Sequence, residues 1–156
     1  MCLQESKLRE VDDFLVKSVC GNSCFGYSFQ PSVGGSGGLL TCWDPSVVEV
    51  WCTINYIHVL IIKGKVILTS QDFIIANVYA PCDLYAKQEL WVRLNQFILE
   101  NGDVNFCICG DFNSVRMATK RKGRSEIFRR WMQTTLIILL MVVFLLDLSL
   151  CGRLFT

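Results

Sequence analysis

The chain has 156 residues, enough for one domain with a sizeable core and too few for two ordinary ones. Hydrophobic residues make up 52% and charged residues 19%, a core-rich balance that excludes a disordered chain. The formal net charge of +1 gives no global attraction to nucleic acid, so such a partner has to be met by a local patch.

The start, Met1-Cys2-Leu3-Gln4-Glu5-Ser6-Lys7, has no apolar segment and is not a secretory leader. Taken alone, Glu5 is one acid near a terminus. Across residues 6–18, Leu8, Val11, Phe14, Leu15 and Ser18 fall at helical spacing with charges between them. A short amphipathic helix is expected there, ended by Gly21-Asn22. Residues 25–30 alternate as a strand, and residues 31–35 form the turn after it. Gly34-Gly35-Ser36-Gly37-Gly38 lacks the Lys-Ser/Thr of a phosphate loop and leads into a strand, Leu39-Leu40-Thr41-Cys42-Trp43. Glycines before a strand allow close backbone approach or a tight hairpin.

Asp44-Pro45-Ser46 is a further turn, and residues 47–54 alternate well enough for a strand. Ile57-His58-Val59-Leu60-Ile61-Ile62 is a β-branched run, ended by Lys63-Gly64-Lys65 as a hairpin edge before Val66-Ile67-Leu68. That places His58 inside a sheet, as a hydrogen-bonded histidine rather than a catalytic one. Residues 72–81 form a near-continuous apolar strand that Pro81 breaks. Strands this close together, with no helices between them, pair antiparallel.

Asp83 can cap a helix running from Leu84 to Glu100. Its apolar face holds Ala86, Leu90, Leu94, Phe97 and Ile98, with Lys87, Glu89, Arg93 and Glu100 outside it; Asn101-Gly102 ends it. A strand over residues 104–109 follows. The order predicts an α/β (α+β) arrangement of mixed strand direction with helices packed outside.

That strand runs into Gly110-Asp111-Phe112-Asn113-Ser114. An acid and an amide two residues apart, where a buried strand enters a loop, are held rigidly and still face solvent. The same residues also suit an ordinary turn. Just beyond, Arg116, Lys120, Arg121, Lys122 and Arg124 put five cations into nine residues. The cluster is either a solvated loop or a contact for a phosphate-bearing substrate. A helix can start at Ser125 with Ile127, Phe128 and Trp131 as its buried side. Residues 136–146 are eleven consecutive apolar residues closed by Asp147, against the twenty or so a bilayer span needs. No membrane association is expected. The nine cysteines are scattered through apolar runs and read as small buried hydrophobes in a reducing, intracellular compartment. Without a CxxC pair, and with His58 as the only histidine, the chain lacks the usual zinc ligands.

Five strings stand in a telling order: Leu3-Gln4-Glu5-Ser6-Lys7; Ser36-Gly37-Gly38-Leu39-Leu40 with Trp43; Asn77-Val78-Tyr79-Ala80-Pro81; Gly110-Asp111-Phe112-Asn113-Ser114; and Leu146-Asp147-Leu148-Ser149-Leu150-Cys151-Gly152-Arg153-Leu154-Phe155-Thr156. In these the chain resembles the endonuclease/exonuclease/phosphatase superfamily, most closely the apurinic-type endonuclease domain of plant non-LTR (LINE-type) retrotransposons. The resemblance describes a single partial domain over residues 1–156, well matched over 1–124, divergent over 131–144 and matched again over 145–156. It implies a four-layered αββα sandwich of two mixed sheets with outer helices, incomplete here, and an active site where loops of both sheets meet.

The implied reaction is Mg²⁺-dependent phosphodiester hydrolysis on DNA, with Mn²⁺ as a substitute metal, and the implied place of work is the nucleus. By resemblance Glu5 is the metal ligand, a hard oxygen donor. Asp111 orients and activates the attacking water, Asn113 holds that water or the phosphate, and Tyr79 contacts the scissile phosphate. The family's upstream asparagine and its C-terminal Ser-Asp-His string have no counterpart, so the resemblance implies truncation at both ends and weak or no activity. The unbroken apolar run over 131–144, where the family has an amphipathic helix, suggests a shifted reading frame. Two other readings stand beside this one: a non-catalytic remnant of the domain, and a host DNA-repair or phosphatase member of the superfamily. No protein partner can be inferred.

Overall fold

The computed structural model of the chain describes residues 1–21, 25–35 and 37–113. Cys24, Ser36 and everything from Ser114 onward lie outside the described residues, and with them the basic cluster, the helix expected from Ser125, the apolar run and Cys151. In chain order the elements are β1 (Cys2–Gln4), α1 (Asp13–Cys20), β2 (Gly26–Gln30), β3 (Leu39–Trp43), β4 (Val48–Tyr56), β5 (Val59–Val66), β6 (Asp72–Tyr79), α2 (Leu84–Glu100) and β7 (Asn105–Asp111).

The strands form two sheets, ordered β1-β3-β2 and β4-β5-β6-β7. In the second sheet β4, β5 and β6 make an antiparallel meander, and β7 joins β6 in parallel. A parallel neighbour needs a crossover, which α2 supplies. The sheet is therefore mixed, as expected. In the first sheet both pairings are antiparallel, β1 and β2 each lying against β3, and α1 crosses between these two outer strands.

Among the described residues each sheet has one helix on its outer face. On the first, Val16 of α1 packs with Leu40 and Cys42, and Leu3, Leu15 and Phe29 close around them. On the second, Leu90, Trp91, Leu94 and Phe97 of α2 cover Ile61, Ile74, Ala76, Val78 and Ile108. The alternate residues of β1 and β3 turn inward, where these strands meet β5, β6 and β7. Helix, sheet, sheet and helix make the four layers of the expected αββα sandwich. Because β5 is covered on both sides, Val59, Leu60, Ile61 and Ile62 are all buried, and the strand reads as a continuous apolar run instead of alternating.

Several expectations fail for local reasons. The first helix starts at Asp13, not at residue 6, because the preceding backbone is committed elsewhere. Ser6 and Lys7 donate their amides to Gly38 and Gly37 at 3.2 and 3.0 Å, and Ser32 donates to the Leu8 carbonyl at 2.8 Å. Asp12 is the cap, accepting from the Leu15 amide at 2.8 Å. Lys63-Gly64-Lys65 is the middle of β5, not a hairpin edge. A Cβ on Gly64 would stand 2.5 Å from the Glu49 carbonyl oxygen, so this glycine serves close strand approach beside the irregularity between Val50 and Cys52. The hairpin turn is Ile57-His58, with His58 at a φ of 71°, so His58 is a turn residue rather than one inside a strand.

Lys87, expected outside the helix face, is only 2% exposed. Of the described cysteines, Cys42 alone is buried, while Cys82 and Cys107 are exposed. Cys82 follows the strand-breaking proline in a loop, and Cys107 lies on β7, an edge strand among the described residues. Among the described residues no helix is long and apolar enough to cross a membrane.

Candidate functional site

Three strands end at one place. β1 of the first sheet gives way to Glu5, β6 of the second ends on Tyr79, and β7 ends on Asp111, the register partner of Tyr79. The Tyr79 hydroxyl donates a hydrogen bond to the Glu5 carboxylate across a separation of 74 residues. Glu5 sits at a φ of 51°, and the residues after it are held by the glycine loop. That loop needs its glycines: Gly38, at a φ of 88°, lies so near Ser6 that a Cβ would fall 2.4 Å from its hydroxyl oxygen.

The bond to Glu5 is the main cause that pushes the Tyr79 phenol up to about 12. Burial and the negative charges of Glu5 and Asp111 act in the same direction. Tyr79 therefore stays protonated and remains a donor at neutral pH.

Asp111 is placed by the glycine before it. Gly110 has a φ of 135°, and a Cβ there would stand 1.9 Å from the Val78 carbonyl oxygen, so β7 reaches this point only with glycine. The exposed Asp111 accepts the Asn113 amide on Oδ1 at 2.8 Å, and its carbonyl accepts the Ala80 amide at 2.8 Å. Asn113 adopts a φ of 46° and donates from Nδ2 to the Ala80 carbonyl at 2.6 Å. The acid and the amide thus form a turn and also face the Glu5–Tyr79 pair, so the two readings of this string are compatible. Between them Phe112 packs on Trp91 of α2 at a ring-centroid distance of 5.8 Å, which anchors the turn. Beneath it, Lys87 Nζ donates to the Asn113 carbonyl at 2.7 Å.

The two halves of the site are joined by a buried amide. Asn77, fully buried, accepts from Gln4 Nε2 at 2.6 Å and donates to the Leu3 and Leu40 carbonyls, both at 3.2 Å, and to Thr41 Oγ1 at 3.1 Å. Gln4 immediately precedes Glu5, and Asn77 lies two residues before Tyr79.

A cleft of about 250 Å³ opens beside this constellation, lined in part by Pro31, Val33, Gly37, His58 and Tyr79. The His58 carbonyl accepts the Tyr79 amide at 3.0 Å. Burial pushes the imidazole below its ordinary value, against a hydrogen bond to the Tyr79 main chain. His58 is thus held close to Tyr79 through the main chain.

Glu5, Tyr79, Asp111 and Asn113 are therefore brought together, while Arg116, Lys120, Arg121, Lys122 and Arg124 lie outside the described residues. Among the described residues no three His, Cys, Asp or Glu side chains gather into a metal cage. Mg²⁺ does not need one, since it is commonly held by one or two carboxylates with water and substrate phosphate. The carboxylate oxygens of Glu5 and Asp111 are donors of that kind.

Gln4, Asn77, Lys87 and Phe112 support the site and were missed as such in the sequence. Two of them left a signal: Asn77 is an amide in a near-continuous apolar strand, and Lys87 shares the helical spacing of Leu90, Trp91 and Leu94.

No family model matches the chain. No curated protein matches it in sequence. Among solved structures it is similar to the human Nocturnin catalytic domain with bound sulfate anion, at a TM-score of 0.54 and 13% identity over 74% of this chain and 51% of that one. Truncated Caenorhabditis elegans TDP2 also matches, with a TM-score of 0.48 and 13% identity over 80% of this chain and 52% of that one. The chain spans about half the length of these two structures. What it shares with the Nocturnin catalytic domain is the fold, an α+β sandwich of the kind that the sequence resemblance implies.

Proposed function

We propose that the chain is a phosphodiester-hydrolysing unit of the endonuclease/exonuclease/phosphatase type, belonging to a DNA-nicking endonuclease domain of a LINE-type retrotransposon. The observation that carries this reading is the Tyr79–Glu5 hydrogen bond with Asp111 in register beside Tyr79. It unites across two sheets the residues whose order in the sequence suggested the chemistry. The shared fold with the Nocturnin catalytic domain, whose structure holds a sulfate anion, supports it.

In this reading Glu5 holds Mg²⁺, which when bound offsets the charge that builds on the phosphoryl oxygens. Asp111 orients the attacking water and takes its proton through the carboxylate oxygen not bonded to Asn113. Asn113 keeps its Oδ1 for that water, since Nδ2 is engaged by Ala80. Tyr79 contacts the scissile phosphate, its one hydroxyl hydrogen turning from Glu5 to a phosphate oxygen when substrate is bound. The basic cluster Arg116, Lys120, Arg121, Lys122 and Arg124 is the proposed contact for flanking DNA phosphates.

Nicking of supercoiled plasmid with Mg²⁺, compared with an Asp111→Ala control, tests the proposal. Nicking above the control supports it. Equal background in both identifies a non-catalytic remnant.

A further inference from the structure

We infer that Lys87 is a positioning residue for the 111–113 turn, acting on Asp111 through Asn113. Lys87 is 2% exposed on the face of α2 that also carries Leu90, Trp91 and Leu94, where a methionine would fill the same place without charge. Burying an ammonium is unfavourable unless its hydrogens are bonded, so the charge at this position calls for a use. Its Nζ donates to the Asn113 carbonyl at 2.7 Å, a charge-assisted bond that ties the helix to the turn over 26 residues of chain.

That bond falls at a left-handed turn residue. Asn113 has a φ of 46°, which asparagine adopts more readily than most residues with a Cβ, and it is held there from three sides. Lys87 fixes its carbonyl, Asp111 Oδ1 takes its amide, and the Ala80 carbonyl takes its side chain. The Asn113 carbonyl and amide lie on the two peptides that flank its Cα, so holding the carbonyl and the side chain constrains the φ and ψ that aim the amide at Asp111 Oδ1, and with it which way that carboxylate presents its other oxygen. Lys87 acts from beneath.

The catalytic half of this inference rests on the phosphodiesterase reading; the ordering half does not. Both are tested on the full chain as wild type, Lys87→Met and Lys87→Arg. Backbone amide exchange followed by NMR is expected to speed up about tenfold or more at Asn113 in Lys87→Met, with the β5 amides unchanged. Lys87→Arg, which keeps charge and donor, is expected to hold Asn113 within about threefold of wild type. In Mg²⁺-dependent plasmid nicking, Lys87→Met is expected to lower kcat about tenfold with KM for DNA within about twofold, and Lys87→Arg to restore most of it. Unchanged Asn113 exchange in a folded Lys87→Met chain overturns the inference. So does a loss of protection spread evenly over β5 and β6, since that is a stability effect only. If wild type nicks no better than Asp111→Ala, the phosphodiesterase reading fails and Asn113 exchange alone decides the role of Lys87. If Lys87→Met does not fold, Lys87→Gln carries the same comparison.

Discussion

Gln4 donates to Asn77 at 2.6 Å across the two sheets, and this bond couples the strand that leads to Glu5 with the strand that ends on Tyr79. Asn77 shares its amide hydrogens among three further acceptors on β1 and β3. Asn77→Leu, of similar volume, takes its partner from Gln4 Nε2 and its donor from Thr41 Oγ1, and removes a second donor from the Leu3 and Leu40 carbonyls, which keep their β1–β3 pairing. The expected loss is about 2 to 4 kcal/mol in urea denaturation. If the clamp holds the site together, the Tyr79 phenol in this variant also titrates nearer its ordinary value.

The Tyr79 phenol is held up at about 12 chiefly by its bond to Glu5. Glu5→Gln removes the charge and leaves only a neutral amide oxygen as acceptor. Absorbance at 295 nm, with Tyr79→Phe subtracted to isolate the residue, is expected to show the titration moving down toward the ordinary value of 10.0. The sign for stability follows from a folded value above the unfolded one. The contribution is complete below pH 10.0 and is lost as the pH rises through about 12. An unchanged titration in Glu5→Gln would show the carboxylate to be elsewhere in solution.

His58 works in the opposite direction. Burial lowers its folded value below 6.5, so the native state prefers the neutral ring. Its contribution is present above pH 6.5 and is lost as the pH falls through the depressed folded value. His58→Asn removes the titration, and Asn tolerates the φ of 71° at this turn. A plot of melting temperature against pH from 7.5 down to 5 is expected to fall less steeply in the variant.

Gly110 admits no side chain. In Gly110→Ala the new Cβ meets the Val78 main chain at distances of 1.9 and 2.8 Å, and the neighbour is backbone that cannot rotate away. The expected loss exceeds about 4 kcal/mol, read as failure to accumulate as soluble protein or as a collapse of the melting transition. Gly102→Ala is the matched control, because its nearest such contact is 3.8 Å.

Where local chemistry decides the structure, the sequence is readable. Asp83 caps α2 at the expected residue, Asn101 ends it, and Leu39-Leu40-Thr41-Cys42-Trp43 is the strand it looks like. The layered architecture and the closeness of Glu5, Tyr79, Asp111 and Asn113 are legible only through the family resemblance, since Glu5 and Tyr79 lie 74 residues apart. Where a distant partner decides, periodicity is silent. Residues 6–8 have helical spacing but donate and accept across the glycine loop, so α1 begins only at Asp13. Gly64 looks like a turn and is in fact a point of close approach between strands. β1 has three residues and no pattern of its own; its strand character comes from pairing with β3. Lys87 lies on the buried face because the Asn113 carbonyl is there to receive it, and no count of apolar residues contains that acceptor.

The site is divided between a local unit and a remote one. Tyr79, Asp111, Asn113 and Lys87 belong to the continuous run of β6, α2 and β7, whereas Glu5 arrives from 74 residues before Tyr79. The run can assemble by short-range contacts, while Glu5 is delivered only when the sheets dock, after a long loop has been closed. A ligand that touches Glu5 and the second sheet together binds the docked state alone and acts as a latch between the sheets. At a concentration of a hundred times its Kd such a ligand would strengthen docking by about 2.7 kcal/mol, a substantial share of the stability of a small domain.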